Sequence, residues 1–126
     1  MLLDTHALLW AFTAPSRLPA DVRVALYERT ATVLVSAISA YEVAFKYSLG
    51  KLDEAEALLA DFDQRLADQE FEVLAVTHRH ALAAGRLELH HRDPFDRLLI
   101  AQALVEDVEL VSNEKLFDRY GVSRLW

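Results

Sequence analysis

Short apolar runs alternate along the chain with longer segments whose apolar residues recur every three or four positions. The runs predict strands at MLL (1–3), TVLVSAI (32–38), FEVLAV (71–76) and VELVS (108–112), with GVSRLW (121–126) as a last edge strand. The helical segments are expected at residues 5–11, 21–29, 39–50, 53–66, a short stretch after Thr77, 93–106 and, as one turn, 114–120. Thr5, Ser39, Thr77 and Asp93 are the expected capping residues.

This alternation of strands and helices predicts a three-layer α/β/α sandwich around a central, mostly parallel sheet. With 126 residues, 53% of them hydrophobic, we expect one domain that spans residues 1–126 and has a substantial core. The lack of cysteine excludes disulfides and thiolate metal ligands and fits the cytoplasm. Polar residues interrupt every long apolar stretch, so neither a signal peptide nor a membrane span is expected.

Four acidic residues stand just after predicted strands or at the start of a predicted helix. Asp4 follows the first strand, Glu42 lies one turn beyond the second, and Glu114 follows the fourth. Asp96 opens the helix that leads into the fourth strand. Because the carboxyl ends of parallel strands meet at one edge of a sheet, where ligands bind, we expect these four carboxylates to converge on one cleft.

Each acid taken alone also has a purely structural explanation. In DPFD, Asp93 is a natural N-cap, and Asp96 at the third helical position suits the helix dipole. Ser39 and Glu42 match the spacing of a capping box. Asp4 is placed to cap the first helix, and Glu114 fits an ordinary acid in a first turn. Only the shared position of the four acids favours a joint role.

Several carboxylates in one cleft need a cation. Two of them about 5 Å apart at an effective dielectric of about 20 repel each other by roughly 3 kcal/mol. A site made of carboxylates suits a hard ion such as Mg²⁺, for which Mn²⁺ can substitute. Such an ion can hold a phosphodiester and activate a water, whereas a net charge of −7 argues against a broad basic surface that coats nucleic acid.

The stretches LLDTHALLW, SAISAYEVAFKYSLGKL, HRDPFDRLLIAQA and LVSNEKLFDRYGV, at these spacings, resemble the PIN-domain ribonucleases. Within that family they are most similar to the VapC-like toxins of type II bacterial toxin–antitoxin pairs, and the resemblance runs nearly end to end. It implies a PIN-like fold, Mg²⁺-dependent endonucleolytic cleavage of RNA, a homodimer and inhibition by a cognate antitoxin. By this resemblance the family's first aspartate matches Asp4, its central glutamate Glu42, and its third acid Asp96 rather than Asp93.

The fourth acid departs from the family's pattern. That acid is usually an aspartate two residues after a threonine or serine; Ser112 and Asn113 fit, but the acid here is Glu114. Glutamate reaches farther than aspartate by about 1.5 Å, one carbon–carbon bond. Since Mg²⁺ is strict about geometry, we expect Asp4 and Asp96 to be the primary ligands and the two glutamates to be secondary.

Basic residues near these acids have more than one possible role. Lys46 and Arg97 are each expected either to pair with an acid or to contact a phosphate. The neighbours His90 and His91 are expected at the surface, within reach of substrate phosphate.

The remaining histidines are weaker candidates. His78 and His80 are expected to be solvated at a helix start, and His6 either lines the cleft or is structural. A zinc cluster of the histidines is possible in principle, but the loop and helix-start positions do not favour it.

Two other functions fit parts of the pattern. A phosphoacceptor receiver-like domain is also a small α/β domain with an acidic cleft, but it needs an aspartate at the end of its third strand, where this sequence has VLAVTH. A non-catalytic interaction module, in which the acids only cap helices, stays open. Binding of Mn²⁺ distinguishes that module from a nuclease.

Overall fold

A single parallel sheet forms the centre of the protein. The computed structural model describes residues 1–29 and 31–126, and these contain five strands in the order β3-β2-β1-β4-β5, with every neighbouring pair parallel. The strands are β1 (Leu2–Leu3), β2 (Leu34–Ser36), β3 (Glu72–Leu74), β4 (Leu110–Val111) and β5 (Arg124–Leu125). All the predicted strands are present, although each is shorter than the run that predicted it.

Helices fill the connections between the strands. They are α1 (Thr5–Thr13), α2 (Ala20–Tyr27), α3 (Ala37–Ser48), α4 (Glu56–Leu59), α5 (Phe62–Asp68), α6 (His78–Arg86) and α7 (Pro94–Glu106). Short 3₁₀ turns lie at Pro15–Arg17, Asp53–Ala55 and Lys115–Tyr120. No helix in the described part of the chain is long and apolar enough to cross a membrane.

The two faces of the sheet bury separate sets of side chains. Leu3 and Val111 point to one face and pack in a core with buried residues of α1, α2, α4 and α5. Their strand neighbours Leu2 and Leu110 point to the other face and pack against Ile100 of α7. This alternation along each strand gives helices on both sides of the sheet, so the predicted α/β/α sandwich is confirmed.

The strand order also tests the receiver-like alternative. Receiver-like domains use the order 2-1-3-4-5, in which the third strand of the chain lies in the middle of the sheet. Here β3 lies at the edge, outside β2. The receiver-like alternative is therefore wrong.

Helix α3 begins earlier than the sequence pattern predicts. Ser36, the last residue of β2, is the N-cap, and its hydroxyl accepts a hydrogen bond from the amide two residues on at 3.1 Å. Ser39 lies inside the helix, where its hydroxyl is buried and accepts a bond from the Thr5 hydroxyl at 3.1 Å. The predicted capping box of Ser39 and Glu42 is thus wrong, because the strand ends sooner and the cap moves with it.

The segment that follows α3 is also divided. The expected continuous helix over 53–66 is a 3₁₀ turn followed by α4 and α5, because Asp61 leaves the helical region with φ −150° and ψ 54°. Leu58 and Leu66 are still buried, as the apolar stripe predicts. Helices α6 and α7, in contrast, begin with the predicted caps Thr77 and Asp93.

Candidate functional site

Asp4 lies at the carboxyl end of β1, buried beneath the first turn of α1. Of the two candidate caps, Asp4 and Thr5, Asp4 is the N-cap: its Oδ1 accepts a hydrogen bond from the Ala7 amide at 2.6 Å. Burial raises the pKa of its carboxyl group, and the nearby charge of Asp96 adds to that shift. Hydrogen bonds from the Ser112 hydroxyl and the Ala7 amide oppose it. The contact of Asp4, which follows β1, with Ser112, which follows β4, therefore connects the carboxyl ends of these two strands.

The side chains of Asp93 and Asp96 have different roles at the start of α7. Asp93 Oδ1 accepts hydrogen bonds from the Phe95 and Asp96 amides at 2.9 and 3.0 Å, so the helix is capped without the Asp96 side chain. The Asp96 carboxylate instead meets His91 Nε2 at 2.5 Å. Burial raises the pKa of Asp96, the charges of Asp93 and Glu42 raise it further, and the His91 hydrogen bond lowers it. The Asp96 carboxylate thus does not cap the helix, and it lies close to the other acids.

Glu42 is the most enclosed of the remaining acids, with only 4% of the residue exposed. Its Oε2 forms an ion pair with the Lys46 ammonium one turn along α3, as one of the two expectations for Lys46 predicts. Its Oε1 is buried and has no hydrogen-bond partner among the described residues. An ionised oxygen without a partner is costly to bury, so this atom is a natural ligand for a cation.

Glu114 stands apart from the other three acids. It is exposed beyond β4, and its own carboxylate caps the following 3₁₀ turn by accepting a bond from the Leu116 amide at 3.1 Å. Its amide donates to the Ser112 hydroxyl at 3.1 Å, so Ser112 links Glu114 to Asp4. Asn113 is exposed between them. The fold brings Asp4, Asp96 and Glu42 into electrostatic contact, whereas the Glu114 carboxylate is turned to the backbone.

The acidic side chains have the chemistry of divalent-cation ligands, although they are not arranged around one common point. Within residues 1–29 and 31–126, no three His, Asp or Glu side chains are close enough together to hold a metal ion. Each acid instead has a local partner such as Lys46 or His91. Carboxylate oxygens are the ligands that Mg²⁺ and Mn²⁺ prefer, and the unpartnered Glu42 Oε1 is one such oxygen already desolvated. The donor set therefore suits a hard cation that displaces these partners.

Arg97 has a role that neither expectation foresaw. Its guanidinium donates to four backbone carbonyls, those of Ala84, Leu87, Glu88 and His91, at 2.8–3.0 Å. It forms no ion pair with an acid in the part of the chain that the structure describes. Arg97 thus fixes the loop that carries His91, the partner of Asp96. The sequence gives no signal for these contacts, because the carbonyl groups belong to no motif.

His78 is exposed at the start of α6 as expected, but its neighbour His80 departs from expectation. His80 is not solvated but 1% exposed. Its Nδ1 accepts a bond from the Thr77 amide at 3.1 Å and its Nε2 lies 2.7 Å from Glu106, so it joins α6 to α7. Its position three residues after Thr77, that of a capping box, is the signal that identifies this role. His91 is half-buried against Asp96, and His90 pairs with Glu88 at 2.8 Å.

Comparison with known proteins agrees with the fold. The model of the PIN domain family matches residues 1–122, and the chain therefore belongs to that family. No curated protein sequence matches the chain.

Among solved structures, the chain is similar in fold to several complexes at low sequence identity. DNA-bound VapBC from Salmonella typhimurium aligns with TM-score 0.73 and 19% identity over 98% of this chain and 95% of that one. VapBC2 from Rickettsia felis bound to a promoter DNA fragment gives TM-score 0.72 and 19% identity over 98% and 96% of the two chains. A toxin–antitoxin complex from Klebsiella pneumoniae gives 0.57 and 16% over 90% and 85%.

Proposed function

We propose that this protein is a metal-dependent endoribonuclease that acts in the cytoplasm as the toxin of a type II toxin–antitoxin pair. The observation that carries the proposal is the unpartnered, buried Glu42 Oε1 beside the mutually interacting Asp4 and Asp96. Membership of the PIN domain family supports nuclease chemistry, and the likeness to toxin–antitoxin complexes supports the toxin role.

In this proposal Asp4 and Asp96 are the primary ligands of Mg²⁺, and the two glutamates are secondary. When bound, the ion supplies a Lewis acid for the phosphodiester and for an attacking water. The chain's own contribution is to hold the ligands in place. The Ala7 amide and the Ser112 hydroxyl fix Asp4, and the Asp93 cap leaves the Asp96 carboxylate available.

Calorimetric titration with Mn²⁺ tests the site independently of catalysis. We expect saturable binding to the wild type, loss of binding in Asp96→Asn, and unchanged binding in the matched control Asp93→Asn, because asparagine also caps helices. A wild type that binds no Mn²⁺ would instead favour the non-catalytic interaction module.

The proposed antitoxin neutralises the same carboxylates with a basic side chain. A guanidinium can form two charge-assisted hydrogen bonds to a carboxylate, so an arginine in the cleft competes with the metal. The complexes from Salmonella and Rickettsia contain DNA. With its net charge of −7, this chain is poorly suited to hold DNA itself, and we assign any such contact to the antitoxin. Inhibition that survives replacement of every basic residue in the antitoxin's contacting segment contradicts this part.

A homodimer is supported by an apolar stripe on α3. Tyr41, Phe45 and Leu49, spaced four residues apart, are 56%, 44% and 52% exposed, and the rings of Tyr41 and Phe45 stack. Two copies that bury this stripe against each other gain apolar contact without desolvating charge. Sedimentation equilibrium should find a dimer that Phe45→Glu disrupts, and a wild type that stays monomeric contradicts it.

A further inference from the structure

A second cluster of aromatic side chains lies beside Asp4, on the opposite side from α3. His6 and Trp10, one turn apart on α1, have ring centroids 5.9 Å apart, and Trp10 meets Trp126 at 5.7 Å. The guanidinium of Arg17 lies over the Trp10 ring, 4.7 Å from its centroid. We call His6, Trp10, Arg17 and Trp126 the tryptophan cluster.

The tryptophan cluster adjoins the acids through the sheet. Trp126 follows β5 directly, as Asp4 follows β1, so both lie at the carboxyl edge. His6 lies two residues beyond Asp4, in the first turn of α1. A strand of nucleic acid whose phosphate lies at Asp4 therefore passes this cluster.

The cluster has the chemistry that unpaired nucleotides require. His6 and Arg17 are exposed, and Trp126 is 37% exposed, so ring faces and a cation are accessible together. Arg17 forms no ion pair with a carboxylate among the described residues, although the chain carries 20 acids against 13 Lys and Arg. Single-stranded nucleic acid is held by stacking its bases on aromatic rings and by pairing its phosphates with cations.

We propose that the tryptophan cluster is a subsite for single-stranded RNA, in which a base stacks on the exposed ring of Trp126 and Arg17, which lies over the partly buried Trp10 ring, contacts the adjoining phosphate. This inference rests on the proposed ribonuclease function and deepens it, since it names an unpaired strand as the substrate. A base-paired strand keeps its bases inside the duplex, so the cluster selects against duplex RNA.

The protein provides its own reporter, because the sequence has only two tryptophans and both belong to the cluster. The experiment follows tryptophan fluorescence during titration with a short single-stranded RNA in excess EDTA, with the RNA checked by gel to be intact. We expect saturable quenching by the single strand and at least about ten-fold weaker binding of the matched duplex.

Variants assign that binding to the cluster. Arg17→Gln should weaken binding by roughly ten-fold and reduce the slope of log affinity against log salt by about 0.7, the loss of one phosphate contact on a single strand. Arg65→Gln, which removes an equal charge from the exposed face of α5, is the matched control and should change neither. Trp126→Ala should weaken binding by roughly five-fold or more, and Trp126→Phe should restore most of it. Trp10 packs against the core, so it is left unchanged.

The outcomes separate this inference from the nuclease proposal. Absence of quenching, equal quenching by duplex, or equal effects of Arg17→Gln and Arg65→Gln overturn the subsite even if the protein cleaves RNA with Mg²⁺. If the fluorescence changes with protein concentration and not with RNA concentration, the cluster is a contact between copies of the chain. That result also overturns the RNA subsite. Quenching that depends on Arg17, without cleavage in Mg²⁺ or Mn²⁺, upholds the subsite and refutes the nuclease.

Discussion

Asp4 is held in a position that favours function at some expense of stability. It is buried, which raises the pKa of its carboxyl group, with the charge of Asp96 acting in the same direction. A carboxyl group whose pKa is raised in the folded state stabilises the fold when protonated, and this contribution is lost as the pH rises through the folded pKa. As the pH rises through that folded pKa, ionisation of Asp4 in the absence of a metal therefore lowers the free energy of unfolding.

Asp4→Asn should abolish RNA cleavage and raise the melting temperature in EDTA at pH 7 by about 2–6 °C. Asparagine keeps the cap of α1 and removes the charge. The gain in melting temperature should shrink as the pH falls and Asp4 of the wild type becomes protonated. Thermal melts of both proteins from pH 4 to pH 8 measure this, and a variant that melts lower at pH 7 contradicts the electrostatic account.

Asp93→Asn and Asp96→Asn should behave differently although they lie three residues apart. The side-chain oxygen of an asparagine in place of Asp93 can still accept the two amide hydrogen bonds, so cleavage and stability should stay close to wild type. Asp96→Asn should lower the cleavage rate by at least about 100-fold, the loss typical of a metal ligand or its close support. Initial rates at saturating Mg²⁺ give the comparison. If Asp93→Asn is inactive and Asp96→Asn is active, the roles of helix cap and metal ligand are reversed between the two residues.

Glu114→Gln should weaken cleavage less than Asp4→Asn does, and added Mn²⁺ should recover part of the loss, because Mn²⁺ generally binds such sites more tightly. The physical reason is the exposed Glu114 carboxylate, which caps the Leu116 amide instead of joining the buried acids. Glu114→Asp should remain active. Initial rates against metal concentration decide this; equal inactivity of Glu114→Gln and Asp4→Asn at saturating Mn²⁺ would make Glu114 a primary ligand.

At the level of elements, the sequence predicts what local patterns determine. The five apolar runs and the caps Thr77 and Asp93 are confirmed because each depends on a few adjacent residues. The start of α3 is missed because the buried Ser36 and the apolar residues after it continue the strand pattern into the helix. The order of the strands depends on packing of distant segments, and no local pattern encodes it.

The site is predictable to the extent that it follows from strand ends. The closeness of Asp4 and Asp96 follows from the sequence because β1 ends, and α7 begins, at the carboxyl edge of a parallel sheet. Their role as metal ligands stays a prediction. The side-chain contacts around the site could not be predicted from the sequence, since the Arg97 contacts and the pairing of His80 with Glu106 join residues far apart in the chain. The ion pair of Lys46 with Glu42 is the exception, and it lies at helical spacing.

The loop between α6 and α7 should depend on Arg97. Arg97→Gln leaves several of four carbonyls without a donor and should lower the free energy of unfolding by about 2–4 kcal/mol. Arg97→Lys should recover only part of this, because an ammonium lacks the planar fork. Urea unfolding measures both, with exposed Arg65→Gln as a control expected within about 0.5 kcal/mol of wild type. Equal stability of Arg97→Gln and wild type refutes the role assigned to the guanidinium.

For the whole molecule, the charge distribution and the sheet lead to the same requirement. The chain has a net charge of −7, and the buried acids Asp4 and Glu42 lie near the half-buried Asp96 at the carboxyl edge of the parallel sheet. RNA adds further negative charge there, so a phosphodiester can reach the carboxylates themselves only if a cation lies between them. The proposed function therefore needs a divalent metal both for the substrate and for the acids themselves.

The rate of RNA cleavage by the wild-type protein against free Mg²⁺ concentration tests this requirement most directly. We predict no cleavage in excess EDTA and a saturable return of activity as Mg²⁺ is added, with Mn²⁺ also effective. The Asp4→Asn protein, prepared in parallel, excludes a contaminating nuclease because it should stay inactive throughout. Robust cleavage by the wild type in excess EDTA, absent from Asp4→Asn, would contradict the metal-dependent mechanism.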